Sequence, residues 1–290
     1  MKKEKEKGAE FRLNKILVPV DYSDNSIKAL EAAIHIAEKM NAGVMVLNIY
    51  HMPFADEHMP SEMITELVDA QKEKALDDLK VFKSKHETLF NTGIPVEFET
   101  LMGFAAESIL EKARTAHADM IILGTQGANS IEDRLFGTVS WNVIKHSDIP
   151  VMAIPGGENM LSFKNIMIPF EGTDKDDNMI TYLLGFAEQY GATVHAVHFL
   201  QDSSNYNKSM IDKLHARFRR ELEVDKLQLH FLAEKNITEG IKRFASRNSI
   251  DMISMITHNH GLFSTIFHMS VTRKIALYTQ IPLLAYNADR

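Results

Sequence analysis

The 290-residue sequence predicts an α/β protein of two tandem domains, each a parallel sheet flanked by helices. Three observations carry this. Short apolar runs alternate with stretches of helical period, the grammar of strand–helix–strand crossovers. The order of these elements recurs once, half a chain later. Between the two passes stands "PGGEN", a break of the kind that separates domains. The predicted domains are residues 1–155 and 163–290.

Residues 16–20 of "KILVPV" are almost all apolar, as a strand covered on both faces requires. Ser23 or Asp24 can cap the next helix, whose Ile27, Leu30, Ile34, Ala37 and Met40 recur at helical spacing. Asn41-Ala-Gly43 stops it, and residues 44–49 form a second buried strand. A long amphipathic helix is expected over 62–90, with Ile64, Leu67, Gln71, Ala75, Leu79 and Phe82 along one stripe. A strand at 96–101, a helix at 105–116 and a strand at 119–123 follow. The last helix begins near Thr138, and the strand 151–154 closes the unit.

The second pass repeats the first. "NIMIPFEGT" parallels "KILVPVDYS", with Pro169 for Pro19 and Glu171 for Asp21. "GATVHAVHF" parallels "AGVMVLNIY", and Ile241, Ala245 and Asp251 stand where Ile109, Ala113 and Asp119 stand. "MSVTRKIALYTQIPLLAY" parallels "GTVSWNVIKHSDIPVMAI". The matched runs "IPVMAIP" and "IPLLAYN" are apolar strands at the sheet edge of each copy, and such an edge must be paired or covered. The two copies are expected to pair with each other there, antiparallel, around a pseudo-two-fold axis.

Composition narrows the function classes. A net charge of −7 and a pI of about 6.0 argue against non-specific nucleic-acid binding. With no cysteine there is no disulfide framework, zinc finger or thiol nucleophile. The start "MKKEKEKGAEFRLN" lacks the apolar core of a secretory signal, and no stretch approaches eighteen apolar residues. The expectation is a cytoplasmic protein without membrane contact.

The chemistry concentrates in "ILGTQGANSIEDRLFGTVS". In an open parallel sheet, ligands sit beyond the carboxyl ends of the strands. Asp21 follows the first strand, Gly124 and Gly127 follow the fourth, and Gly137-Thr138-Val139-Ser140 opens the final helix. Glycines admit close main-chain approach to an anion, and a helix start presents unpaired N–H groups. Thr138 and Ser140 add hydroxyl donors, and Asp21 suits a ribose hydroxyl or an adenine amino group. The set suits a nucleotide, with its phosphates on the glycines and helix start.

On these residues the sequence resembles the universal stress protein family over nearly its whole length, as two copies. Nucleotide-binding members carry G-x-x-G, nine residues, then G-[S/T]. Here that reads Gly124-Thr125-Gln126-Gly127, residues 128–136, then Gly137-Thr138. "ILVPVDYSDNS" and "DIPVMAIP" are also similar to the family's. The resemblance implies a Rossmann-like, adenine nucleotide alpha hydrolase-like fold with five strands per domain. By position it implies Pro19, Asp21 and Ile49 at the nucleoside, and Gly124, Gln126, Gly127, Gly137, Thr138, Val139 and Ser140 at the phosphates. Gln126 stands where many relatives carry His or Arg, which removes a cation. The ligand implied is ATP or AMP, with Mg²⁺ as a candidate counter-ion.

The second copy departs from the motif. Ile256, Asn259 and Met269 match Gly124, Gly127 and Gly137, and Glu171 lengthens the carboxylate of Asp21. Nucleotide is therefore expected in the first copy only.

Other constellations carry less. "THNH" with His268, and His195 with His198, are the densest histidine groups. Without carboxylate or cysteine partners they make weak metal sites, and three residues apart on a strand they point to opposite faces. "EHMPSEM" reads as a lead-in to the long helix, and "KEKALDDLKVFKSK" as its solvated face. No G-x-S-x-G elbow, G-x-x-x-x-G-K-[S/T] loop or S-G-G-x-D-S loop is present, so no catalytic residue and no metal ligand is assigned. The expectation is a nucleotide-binding sensor or regulatory module whose 128–136 loop orders over the pocket and signals to an unidentified protein partner. The alternatives are a slow ATPase or nucleotidyl-transfer enzyme of the same fold, and a ligand-free scaffold. Further oligomerisation is left open.

Overall fold

The computed structural model describes residues 11–52, 59–125, 137–156, 162–200, 208–257, 272 and 280–287. Several sequence expectations lie outside them: Gln126, Gly127 and the 128–136 loop, Asn259, Met269, and the histidines at 258, 260 and 268.

The first half supplies β1 (Lys15–Val20), α1 (Asp24–Met40), β2 (Gly43–Tyr50), α2 (Ser61–Lys85), α3 (Glu87–Phe90) and β3 (Val96–Met102). It continues with α4 (Ala105–Thr115), β4 (Met120–Gly124), α5 (Thr138–His146) and β5 (Val151–Ile154). The second half supplies β6 (Asn165–Pro169), α6 (Asp174–Tyr190), β7 (Thr193–Leu200), α7 (Lys208–Arg217) and α8 (Arg219–Glu223). After these come β8 (Leu227–Ala233), α9 (Ile237–Arg247), β9 (Met252–Thr257) and β10 (Leu283–Asn287).

All ten strands join one sheet in the order β3-β2-β1-β4-β5-β10-β9-β6-β7-β8. Every pairing is parallel except β5–β10, which is antiparallel with Leu284 opposite Met152. The two halves thus meet through the matched edge strands, which removes both apolar edges at once. Each half orders its strands as 3-2-1-4-5, so the chain reverses direction across its sheet between the first and fourth strands.

The strands are apolar on both faces because helices cover both. One layer packs Ile16, Val18 and Ile122 with α1 and α2, and continues into Ile166, Ile168 and α6 of the second half. The other packs Leu17, Leu47 and Ile121 with α4 and α5, and continues into Met167, Val197 and α9. Phe11 crosses between halves, with its ring 5.1 Å from Tyr182 and its Cβ against the bare Cα of Gly185.

Local signals explain the element ends. Ser23 caps α1 by accepting from the Ser26 amide at 3.3 Å, and Asn41 ends it in a left-handed conformation at φ 54. Asp119 and Asp251, matched in the two copies, do one job. Asp119 accepts from the amides of Asn14 and Lys15, at 2.7 and 3.0 Å, and Asp251 accepts from those of Lys164 and Asn165, at 2.7 and 3.1 Å. Each carboxylate anchors the entry of its copy's first strand.

The helix expected over 62–90 is two helices, broken at His86. Its stripe is buried only at Ala75, Leu79 and Phe82, while Leu67 is exposed. Twenty-five residues of helix run ~37 Å, longer than the eight-residue β2 beneath it, so the first turns overshoot the sheet.

Candidate functional site

The carboxyl ends of β1, β2, β4 and β5 come together at one rim of the first half. Between β1 and β4 the connections leave toward opposite faces, which opens a crevice at that point. Strand alternation sets Pro19 on the face of Leu17, above which α4 and α5 lie, and Ile49 packs on the same layer. Both are only partly buried. Together they present a partly exposed apolar patch at the rim.

The start of α5 stands beside this patch. Gly137 caps the helix with extended backbone at φ −59 and ψ 142, and as a glycine it offers no side-chain cap. Thr138 and Val139 are exposed, and the amides of that turn point out of the helix end. A partial positive charge is thus presented to the rim.

Two predicted residues play other roles than expected. Gly124 lacks a Cβ because α1 needs the space: a Cβ there would stand 2.8 Å from the Asn25 carbonyl oxygen. The bare Cα faces the α1 layer and allows α1 to pack close, whereas a phosphate was expected there. Ser140 is buried, and its hydroxyl donates to the Gly124 carbonyl at 2.7 Å rather than to the rim. The Gly137 amide donates to Thr125 O at 2.6 Å, and Thr125 N donates to Ile154 O at 3.1 Å. These bonds hold the helix start against the ends of β4 and β5. On the other side, Lys28 donates from α1 to the Gly156 carbonyl.

Asp21 is exposed at the end of β1. Its Oδ1 accepts from the Ser23 hydroxyl at 2.6 Å and from the Ser23 amide at 3.2 Å. The turn that points it there depends on Tyr22, a non-glycine residue at φ 63. The Tyr22 ring packs 5.0 Å from Phe82, and burial, with a smaller contribution from the Asp78 charge, pushes its phenol up to about 12. Asn48 completes the rim from below, donating to the Val20 carbonyl at 2.9 Å. Tyr22 and Asn48 carry no motif signal; only their equivalents in the second copy draw attention to them.

That copy is built alike and then filled. His198 stands for Asn48 and donates from Nδ1 to the Phe170 carbonyl at 2.9 Å, and Gly172 at φ 91 stands for Tyr22. Phe199 stands for Ile49, but it is buried, and its ring lies against the bare Cα of Gly240, where a Cβ would stand 2.8 Å away. Asp176 is buried, and its Oδ2 accepts from the amides of Glu171, Gly172 and Thr173 at 3.3, 2.9 and 2.6 Å. A carboxylate of the chain itself therefore occupies the nest at this end of β6. Ile256 sits in the α6 layer near the end of β9, the place that Gly124 takes at the end of β4. Thr272, matched to Ser140, is fully buried with no hydrogen-bond partner among the described residues.

His195 and His198 do face opposite layers. His195 instead meets His230 at 3.2 Å, with Asn165 Oδ1 3.3 Å from its other nitrogen. Burial, then the neighbouring His230, lowers its pKa to about 4. Among the described residues no group of three or more His, Cys, Asp or Glu could hold a metal, and no helix is long and apolar enough to cross a membrane.

Fold and rim define a tandem α/β protein whose matched strand ends differ, with Ile49 partly exposed in the first half and Phe199 buried in the second. The chain belongs to the Universal stress protein family: the family's sequence model matches residues 12–155 and again 162–287. It is 33% identical over 150 residues to Universal stress protein MJ0531 of Methanocaldococcus jannaschii, covering 51% of this chain and 85% of that one. It is 28% identical over 148 residues to Universal stress protein YxiE of Bacillus subtilis, covering 49% and 98%. The crystal structure of a universal stress protein from Archaeoglobus fulgidus superposes with a TM-score of 0.72 at 19% identity, covering 96% of this chain and 97% of that one. That likeness shows that the whole two-unit fold is shared.

Proposed function

We propose that the chain binds one adenine nucleotide, ATP or AMP, in residues 1–155 and none in residues 163–290, and acts as a sensor or regulatory module. The observation that carries this reading is the contrast between matched positions. Ile49 leaves a partly open floor beside an uncapped helix start, while Phe199 fills the same place and Asp176 puts a carboxylate at the rim. Phosphate oxygens would take the first-turn amides of α5, with Thr138 as hydroxyl donor. The motif would add Gln126 and Gly127 to the phosphate side, and Mg²⁺ would serve as counter-ion. Asp21 would accept from a ribose hydroxyl.

Binding, rather than turnover, is the function the residues support, because Oδ1 of Asp21 accepts from Ser23 and no catalytic base is assigned among the described residues. The module would work in the cytoplasm, where nucleotide orders the 128–136 loop and changes a surface read by a protein partner. Heat release of nucleotide from freshly purified protein tests the reading. Adenylate in near-equimolar yield supports it. Yield near zero, together with no uptake of added ATP or AMP, refutes it.

A further inference from the structure

The two outer edges of the sheet differ in charge. β3 carries Glu97 and Glu99 inside the strand, paired with Lys15 and Lys112. β8 reads LQLHFLA, seven residues without a formal charge. An uncharged edge strand of this length is a template for another strand. Among the described residues no strand lies beyond it.

Charges stand just outside β8, and their order is informative. Asp225 and Lys226 precede the strand; Glu234 and Lys235 follow it. When a strand pairs antiparallel with its own copy about a two-fold axis, residue i opposes residue j with i + j constant. Centred on His230, Lys226 falls opposite the partner's Glu234, and Asp225 opposite the partner's Lys235. The symmetry makes each attraction twice. Inside the strand, Gln228 meets the partner's Leu232, and no charge opposes another. The same operation on β3 would crowd Glu97 and Glu99 of both copies.

The main chain fits this register. Glu234 N donates to Leu200 O at 3.0 Å, and Lys226 O accepts from Val194 N at 2.9 Å, so the even-numbered residues turn their polar groups to β7. The odd-numbered ones turn theirs outward. The register then sets Leu229 opposite the partner's Phe231, and Leu227 opposite the partner's Ala233, as hydrogen-bonded pairs. Antiparallel joining of edges is also how β5 and β10 unite the two halves.

We propose that two copies of this chain associate through β8, antiparallel and centred on His230, so that one sheet runs through both.

Sedimentation of the full chain at tens of micromolar should give twice the 32.9 kDa chain mass. Lys226→Glu and Glu234→Lys each set like charges opposite twice and should each weaken the dimer on the order of tenfold or more. An equimolar mixture of these two variants should recover the dimer, since opposite charges meet again; misfolding or loss of the Arg243–Glu234 pair could not produce that recovery. The chain has no cysteine. His230→Cys under copper phenanthroline should therefore give a disulfide-linked dimer, and Gln228→Cys should not. A monomeric wild-type chain, a dimer indifferent to both charge variants, or an open-ended polymer in which β8 meets the next copy's β3 would overturn the proposal.

Discussion

The Ser140 hydroxyl donates to the Gly124 carbonyl at 2.7 Å, joining the first turn of α5 to the last residue of β4. The helix start is thereby held at the rim by a buried bond that leaves its amides facing outward. Ser140→Ala removes the donor and leaves a carbonyl short of a partner. The expected cost is about 1–2 kcal/mol, read as a lower urea midpoint at unchanged m value.

Gly124 separates two explanations of a motif glycine. Its missing side chain is explained by α1, whose Asn25 carbonyl would stand 2.8 Å from a Cβ. Gly124→Ala should therefore destabilise the nucleotide-free protein by about 1–3 kcal/mol in chemical denaturation. Unchanged stability with weakened binding would assign the glycine to the ligand instead.

Thr138 is exposed in the first turn of α5. Thr138→Asp places a carboxylate on the positive end of the helix and should raise stability by about 0.3–1 kcal/mol. The same charge faces an incoming phosphate, so ATP affinity should fall at least tenfold, equivalent to about 1.4 kcal/mol. Thermal denaturation and titration calorimetry should move in opposite directions.

Phe199 fills in the second half the place that Ile49 leaves partly open in the first. Phe199→Ala should cost about 3–5 kcal/mol of stability, because a large buried ring leaves a cavity. Nucleotide affinity of the first half should stay at the wild-type value, measured by calorimetry below the melting point.

The His195–His230 contact predicts a pH dependence with a definite sign. Burial holds His195 near 4, below its ordinary 6.5, so the unfolded chain binds its proton more readily than the folded one. Stability from this site is complete above pH 6.5 and is lost as pH falls from 6.5 toward 4. His195→Gln should flatten that part of the profile of unfolding free energy against pH.

Much of the fold was legible in the sequence, because strands covered on both faces leave unbroken apolar runs such as residues 16–18 and 120–123. The internal repeat made the β5–β10 pairing readable as well, since two matched apolar edges have one way to hide together. The long second helix starts where the sequence placed it, but its first turns are less buried than expected and it breaks at His86. Periodicity continues through Ile64 and Leu67 whether or not a sheet lies beneath them, and the break at His86 has no glycine or proline to mark it. At the rim, the motif singles out Gly124 and Ser140 but not what they touch within the fold. A glycine pattern is the same whether the approaching atom belongs to a phosphate or to Asn25. Asp176 was legible in principle as an acid three residues after Thr173, the spacing that caps a helix. Phe199 became informative only once its matched position was seen to be partly open.

Calorimetric titration of ATP into the full chain, stripped of bound nucleotide, tests the central claim most directly. One site per chain, abolished or weakened at least tenfold by Thr138→Asp, is the predicted result. Two equivalent sites, or one site that Thr138→Asp leaves unchanged, would contradict it.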